Sequence, residues 1–117
     1  MTELLLNGEV LDYKDCAVEQ DELFNKLMRF IELKSHQTRK ERVEVINACD
    51  YCEHALQKPY DSFASEVNPS DIWTLSILDE NEEAWLLIMG EDADYTQEQV
   101  QIYRCQACGK WEICNDG

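Results

Sequence analysis

Glycine and proline are scarce in this chain, with four and two residues among 117. This composition excludes a collagen-like chain and a disordered chain rich in glycine and proline. The sequence also lacks GxxxxGK[ST], GxGxxG, HExxH and GxSxG, the short motifs of nucleotide-binding loops, zinc peptidases and serine hydrolases. Its two histidines lie outside any recognisable catalytic triad. We therefore predict that the protein is not an enzyme.

Long apolar runs are missing as well. The longest, "AWLLIM" at residues 84–89, is far shorter than the roughly 20 residues that span a bilayer. The N-terminal "MTELLLNGEV" has no basic region followed by an apolar stretch of signal-peptide length. We expect a cytoplasmic protein without a membrane partner. In a reducing compartment, its six cysteines are expected to be metal ligands and free thiols rather than disulfides.

Positive charge is nearly absent from the second half of the chain. Residues 1–60 carry 12 acidic and 8 basic residues, a net charge of -4, whereas residues 61–117 carry 13 and 2, a net charge of -11, which gives -15 in total. Phosphate backbones are bound by clustered lysine and arginine, and a surface this negative repels them. Nucleic acid is therefore a disfavoured partner, and a protein with a basic surface is favoured.

The length and the apolar pattern predict one α+β domain over residues 1–117. We expect an antiparallel sheet of about four to six strands and one main amphipathic helix. The predicted parts are an N-terminal hairpin and helix at about 1–34, a basic connector at 34–42, and a metal-stapled, β-rich part at 43–117.

A hairpin is predicted at "ELLLNGEVLDY", because Asn7 and Gly8 tolerate the positive φ angles of a type I′ turn. A two-residue turn pairs Leu6 with Glu9 and Leu4 with Leu11. Four apolar side chains should then share one face of the hairpin: Leu4, Leu6, Leu11 and Tyr13.

A helix is predicted from about Cys16 to Leu33, because apolar residues recur there at helical spacing. The stripe consists of Leu23, Phe24, Leu27, Met28 and Ile31. Asp15 is the expected N-cap, and Asp21 replaces it if the helix begins later.

Five β-rich stretches follow. "RVEVINAC" at 42–49 alternates like a strand, although its pattern also allows a helix. "DIWTLSIL" at 71–78 and "AWLLIM" at 84–89 are predicted as two strands joined by "DENEE", with the second in the centre of the sheet. "VQIYRC" and "KWEIC" are predicted to flank the last cysteine pair. The segment between Cys52 and Asp71, which contains both prolines, is predicted as a turn of helix followed by a loop.

Two CxxC pairs carry the strongest chemical signal in the sequence. Cys49 and Cys52 form the first pair, and Cys105 and Cys108 form the second. Two intervening residues allow a tight turn to point both sulfurs the same way, so two facing turns can supply a closed tetrahedral Cys₄ site. A closed site has no open position for water or substrate, and we therefore predict a structural Zn²⁺ ion rather than a catalytic one.

The second pair, "CQACG", resembles the CxxCG knuckles of the zinc-ribbon and rubredoxin group, which sit at the tips of hairpins. The resemblance covers about ten residues around Cys105 and fewer around Cys49. It implies a ribbon with an inserted β-rich body, because 52 residues separate the pairs. Glu53 stands where the first knuckle would have glycine. Iron is the alternative metal, since rubredoxin-like sites accept it, and His54 and Cys114 are candidate substitute ligands.

The favoured function is a small zinc-stapled interaction module that binds a basic protein, such as an inhibitor or immunity protein of a nucleic-acid-processing enzyme or toxin. Complementary charge would speed the encounter and orient the partner. The predicted partner face consists of acidic residues of the second half: Asp79, Glu80, Glu82, Glu83, Glu91, Asp92 and Asp94. Trp85 and Trp111 are the candidate apolar anchors.

Two other functions remain open at this point. The first is a nucleic-acid-binding zinc ribbon that uses the basic segment 34–42, with Lys34, Arg39, Lys40 and Arg42. The second is a rubredoxin-like redox carrier with iron in the cysteine site.

Overall fold

The computed structural model describes residues 3–6, 8–16, 22–46, 48–49, 51–57 and 66–114. Within these ranges the chain forms two α-helices, seven β-strands and short 3-10 turns. The strands are β1 (Glu3–Leu6), β2 (Glu9–Asp12), β3 (Arg39–Ile46), β4 (Leu56–Gln57), β5 (Glu66–Ser76), β6 (Gln99–Cys105) and β7 (Trp111–Cys114). The helices are α1 (Glu22–Leu33) and α2 (Glu82–Met89). All strand pairs between these elements are antiparallel, and the predicted α+β class is confirmed.

The N-terminal hairpin has the predicted register, with Leu6 opposite Glu9 and Leu4 opposite Leu11. Gly8 adopts the positive φ of 81° that the turn requires. Asn7, the other predicted turn residue, lies outside the described residues. Leu4, Leu6 and Leu11 are fully buried, and Tyr13 packs against the same core. The period-two pattern of the hairpin was therefore sufficient to assign its buried face.

The main sheet has the order β3-β5-β6-β7 among the described residues, and β4 extends it. Val67 on β5 lies opposite both Ile46 on β3 and Leu56 on β4, so β4 takes the side of β5 that β6 occupies further along. The β5–β6 ladder ends where Ser70 faces Cys105. The chain between β3 and β4 therefore crosses the end of β5, next to the turn that joins β6 to β7.

Pro69 lies inside β5, in a segment predicted to be a loop. Its carbonyl oxygen accepts a hydrogen bond of 3.2 Å from the Gln106 amide, beyond the end of the β5–β6 ladder. A strand residue presents its nitrogen and its carbonyl to the same side. The proline nitrogen therefore faces a position without a ladder partner, which is where a sheet tolerates proline.

One face of the sheet and both helices enclose the core. Trp73, Ile102 and Trp111 alternate toward this face, and Phe30 of α1 meets Trp85 of α2 edge to face at 5.2 Å. The Trp111 indole donates a hydrogen bond of 2.9 Å to the Asp12 carbonyl, which ties the hairpin to β7. The two cysteine pairs lie at one end of this sheet.

The prediction of a strand at "AWLLIM" is wrong, because these residues form most of α2. Alanine, leucine and methionine are strong helix formers, and Glu82 and Glu83 in the first turn suit the positive end of the helix dipole. Trp85 and Met89, one turn apart, are buried, whereas Leu87 is 83% exposed. In a short apolar run, the spacing of the apolar residues alone does not distinguish a helix from a central strand.

The helix α1 begins at Glu22, later than predicted, and Asp15 does not cap it. Asp15 instead ends a 3-10 turn from Tyr13 whose first residues are capped by the Asp12 carboxylate. Asp21, the alternative cap, lies outside the described residues. The predicted stripe is buried except for Leu23, which is 40% exposed, and Phe30 joins it in the core.

The basic segment 34–42 is not a connector throughout. After α1, a 3-10 turn at Ser35–Gln37 leads into β3, which begins at Arg39. Arg39, Lys40 and Arg42 therefore lie on a strand that pairs with β5. The predicted turn of helix after Cys52 is also wrong in its described part, because residues 56–57 form β4.

Candidate metal centre

The two CxxC pairs meet in space, with one thiol sulfur from each of Cys49, Cys52, Cys105 and Cys108 within 4.8 Å of all the others. The Sγ atoms of Cys49 and Cys108 are 3.8 Å apart, and those of Cys52 and Cys105 are 3.7 Å apart. A tetrahedron of sulfurs about 2.3 Å from a central zinc has edges of about 3.8 Å. None of the six cysteines, all of which lie in the described ranges, forms a disulfide, and the four-cysteine cluster is compatible with a metal site.

The two turns have the same hydrogen-bond pattern. In the first knuckle, defined as Cys49 to Glu53, the Glu53 amide donates to the Cys49 carbonyl at 2.9 Å, and the Cys49 amide donates to the His54 carbonyl at 3.1 Å. In the second knuckle, Cys105 to Gly109, the Gly109 amide donates to the Cys105 carbonyl at 2.9 Å. The Cys105 amide closes the second knuckle by donating to the Lys110 carbonyl at 3.0 Å.

Both knuckles end on a residue with positive φ. Gly109 has a φ of 76°, and Glu53 has a φ of 59° although it carries a side chain. A left-handed conformation costs a residue with a Cβ about 1–2 kcal/mol relative to glycine. The departure from the CxxCG pattern at Glu53 is therefore absorbed as local strain, without a change in the geometry of the knuckle.

We expect Glu53→Gly to raise the free energy of unfolding by about 0.5–1 kcal/mol, because relief of the backbone strain exceeds the extra entropy of glycine in the unfolded chain. The matched change, Gly109→Ala, should lower it by about 1–2 kcal/mol. A Cβ at Gly109 would meet nothing within 4 Å, so its cost is backbone strain alone. Urea unfolding of the metal-loaded protein measures both effects, and a loss of stability in both variants would contradict this account.

The pKa values of Cys105 and Cys108 are shifted in opposite directions. Burial acts to raise the pKa of Cys105, but the backbone amides of Cys108 and Ala107 outweigh it and lower that pKa to about 6. Burial and the neighbouring thiols raise the pKa of Cys108 to about 12. Four sulfurs this close resist joint ionisation, and a bound divalent cation would remove the conflict by neutralising the thiolates.

Asn68 on β5 contacts the cluster from the sheet. Its side chain is buried, and its Oδ1 accepts a 3.5 Å hydrogen bond from the Cys105 thiol. Its Nδ2 donates to Ser70 Oγ at 3.3 Å. Rotation of the side-chain amide would turn Nδ2 toward a deprotonated Cys105, so that it could donate a hydrogen bond to the sulfur. Hydrogen bonds of this kind orient the ligands of established metal sites. No sequence pattern singled out Asn68, because its role depends on the β5–β6 pairing.

Neither predicted substitute ligand belongs to the four-cysteine group. His54 is exposed, and its carbonyl bonds to Cys49. Cys114 lies on β7 opposite Gln101, with its side chain half-buried. Cys16 forms an isolated bridge with Trp111 at the other end of β7.

The predicted partner face is exposed where it is described. Glu80, Glu82, Glu83, Glu91, Asp92 and Asp94 all reach solvent, and the side chain of Asp79 lies outside the described set. Two of these carboxylates have partners within the chain: Asp92 binds Lys26 Nζ at 2.6 Å, and Asp94 accepts hydrogen bonds from the amide and hydroxyl of Thr96.

The predicted tryptophan anchors are wrong, because Trp85 and Trp111 are buried to 2% and 1% exposure in the core. Leu87 and Tyr95, both 83% exposed, and Leu78, 49% exposed, are apolar residues that the structure presents beside the acidic groups. Leu87 lies one helical turn after Glu83. The sequence could have indicated Leu87 only if the α2 segment had first been recognised as a helix.

Two cations of the basic segment pair with carboxylates within the chain. Lys40 pairs with Glu9, and Arg39 pairs with Glu41 at 3.4 Å. Lys40 also lies over the Trp73 ring, with its Nζ 5.4 Å from the centroid. These contacts leave less of the positive charge for a phosphate backbone than the sequence suggested.

A charge network beside the turn of the N-terminal hairpin was not anticipated from the sequence. Arg104 on β6 binds Asp71 at 2.7 Å and Glu9 at 3.0 Å, and its guanidinium carbon lies 4.8 Å from the Trp73 centroid. The hydrogen bond from Lys40 lowers the pKa of Glu9 against the effect of burial. Burial acts to raise the pKa of Asp71, but hydrogen bonds from Arg104 and Gln106 outweigh it and lower that pKa. The network joins β2, β3, β5 and β6.

Comparison with known protein families, with curated proteins and with solved structures found no match for this chain. Among the helices in the described ranges, none has the length and apolar character needed to cross a membrane. We therefore infer the function from the geometry of the chain itself.

Proposed function

We propose that this protein is a zinc-stabilised interaction module that binds a protein with a basic surface. The observation that supports the metal is the arrangement of four thiol sulfurs at cross-knuckle distances of 3.7 and 3.8 Å. These values agree with the edges of a tetrahedral zinc–thiolate site, which are about 3.8 Å. Cys49, Cys52, Cys105 and Cys108 would hold the ion, which would supply a structural link between the two knuckles.

We favour zinc over iron because the proposed role of the ion is to stabilise the fold. Elemental analysis of the purified protein should give one zinc per chain, and one iron per chain with a red colour would instead support the redox carrier. Four thiolates fill a tetrahedral coordination sphere, so the site would offer no position for substrate and the protein would not be an enzyme. A zinc site of four thiolates needs reduced cysteines, which supports a cytoplasmic location.

The interaction role is supported by the surface around α2. Glu83 precedes the exposed Leu87 by one helical turn, and Glu91 follows it. Glu80 and Glu82 add charge at the start of the helix. The exposed Leu87 side chain, flanked by carboxylates, is complementary to a partner surface on which an apolar contact is surrounded by basic residues.

The acidic face predicts steep salt dependence and sensitivity to its own charges. Glu83→Gln with Glu91→Gln should weaken binding of a captured basic partner by roughly three- to tenfold at low salt, given the modest value of each exposed charge. The matched double variant Glu3→Gln with Glu98→Gln removes the same charge from exposed positions outside α2 and should have little effect. Titration calorimetry at low and high salt measures both variants. An affinity that does not change with ionic strength, or equal weakening in both doubles, would contradict a specific acidic face.

A further inference from the structure

A pocket of about 410 Å³ lies on the outer face of the sheet, beside the first knuckle. The side chains that matter for its chemistry are Tyr51, Asn68, Ser70, Tyr103, Lys110 and Glu112. Tyr103 faces Glu112 across the β6–β7 ladder, on the side of the sheet opposite to Trp73 and Ile102. The pocket is therefore on the face that α1 and α2 do not cover, and it is separate from the acidic face of α2.

The first knuckle forms the rim of this pocket. The Tyr51 hydroxyl donates a hydrogen bond of 3.2 Å to Glu112 Oε2, which connects the knuckle to β7. Cys49 and Cys105, one from each knuckle, also line the pocket. The pocket wall is thus assembled by the same contacts that bring the four cysteines together.

The charged side chains that line the pocket are Glu112 and Lys110. Glu112 is half-buried, and its carboxylate faces the space between Tyr51 and Tyr103. Lys110 also lines the pocket, but its Nζ donates to the Lys14 carbonyl at 3.5 Å, on the hairpin side of the chain. A zinc ion with four thiolates would add a net charge of -2 behind this wall.

The floor of the pocket is polar and shielded from solvent. Asn68 and Ser70 are 4% and 3% exposed, and each carries an oxygen that can accept a hydrogen bond. Buried acceptors, tyrosine rings and a carboxylate together match a planar cation. A guanidinium can stack on an aromatic ring and donate in several directions at once, whereas an ammonium is a compact point charge.

We propose that this pocket binds an arginine side chain of a protein partner. The guanidinium stacks against Tyr103, pairs with Glu112 and donates to the oxygens of the floor. This contact is independent of the acidic face of α2, and it requires the first knuckle to be in place.

The test uses the zinc-loaded protein and the peptide acetyl-Gly-Arg-Gly-amide, with binding followed by amide chemical shifts in NMR. Residues of β5, β6 and β7 around the pocket should shift on titration. Replacement of arginine by citrulline, which keeps the shape and removes the charge, should weaken binding at least fivefold, and replacement by lysine should weaken it as well. Equal binding of citrulline or of lysine would overturn the proposal.

Variants of the protein test whether the arginine side chain binds at this pocket. Glu112→Gln, which keeps the side-chain size, should weaken binding of the arginine peptide at least fivefold, while Glu98→Gln should not. Zinc content and circular dichroism establish that both variants remain folded. Glu83→Gln with Glu91→Gln tests the acidic face separately. Loss of binding in that double variant, with Glu112→Gln unaffected, would overturn the pocket while leaving the acidic face of α2 in place.

Discussion

Replacement of Cys105 or Cys49 by serine should abolish stoichiometric zinc binding and unfold the protein at ambient temperature. Structural zinc sites contribute roughly 10–16 kcal/mol to folding, which equals or exceeds the 5–15 kcal/mol stability of a small domain. The first knuckle connects β3 to β4 across the end of β5, and the second is the β6–β7 turn. Loss of the ion would therefore free two connections at the same end of the sheet.

The measurement combines elemental analysis with thermal unfolding followed by circular dichroism. A loss of more than 5 kcal/mol corresponds to a fall of roughly 20 °C or more in Tm for a domain of this size. Cys114→Ser and His54→Ala are the matched controls, because neither residue belongs to the four-cysteine group. Both should retain one zinc per chain. A chelated protein that keeps its fold and its Tm would show that the cysteines do not stabilise the structure and are free for other chemistry.

Replacement of Arg104 by methionine should cost about 3 kcal/mol at neutral pH, because it removes the cation that pairs with the buried Asp71 carboxylate and leaves that carboxylate with the Gln106 hydrogen bond. Asp71 is 5% exposed, and it would lose its 2.7 Å bond to the guanidinium. Glu9 would keep Lys40 but lose Arg104. Methionine preserves the length and apolar stem of the side chain, so the loss reports on charge rather than packing.

The contribution of Glu9 and Asp71 to the free energy of unfolding should decrease as the pH falls. The pKa values of Glu9 and Asp71 are lowered in the folded protein, so these groups contribute stability above their unfolded pKa values of about 4. That contribution is lost as the pH falls through their folded values. In Arg104→Met both folded pKa values should rise, and the destabilisation relative to the native chain should shrink between pH 7 and pH 3.

Urea unfolding at several pH values checks this expectation. Arg29→Met is the matched control, because Arg29 is an exposed arginine on α1 outside this network. It should change the stability by less than about 0.5 kcal/mol. Equal losses in the two methionine variants, or a destabilisation by Arg104→Met that does not depend on pH, would contradict a stabilising role for the network.

Local patterns were sufficient to predict several elements. The register of the N-terminal hairpin and its buried leucines follow from alternation around Gly8, and most of the α1 stripe follows from helical spacing. The pairing of two CxxC turns follows from the chemistry of cysteine in a closed metal site. These features depend on residues close in sequence or on a residue type with few alternative roles.

Other features depend on which residues are buried, and a local sequence pattern does not specify this. "AWLLIM" is compatible with a helix and with a central strand, and it becomes a helix because Trp85 meets Phe30 of α1. The same packing removes Trp85 and Trp111 from the surface and leaves Leu87 exposed. A surface role for a tryptophan or a leucine is therefore decided only when the helices dock.

The amino-acid sequence by itself determined the acidic balance, the hairpin register, the first helix and the four cysteines that can share a metal ion. Only the tertiary structure decided the strained turn at Glu53, the network around Arg104 and the pocket between Tyr51 and Glu112. The network and the pocket join residues from different strands, and their contacts arise from the strand order, in which β5 lies between β3 and β6. Strand order is set by long-range packing and loop closure, which no short window of sequence encodes.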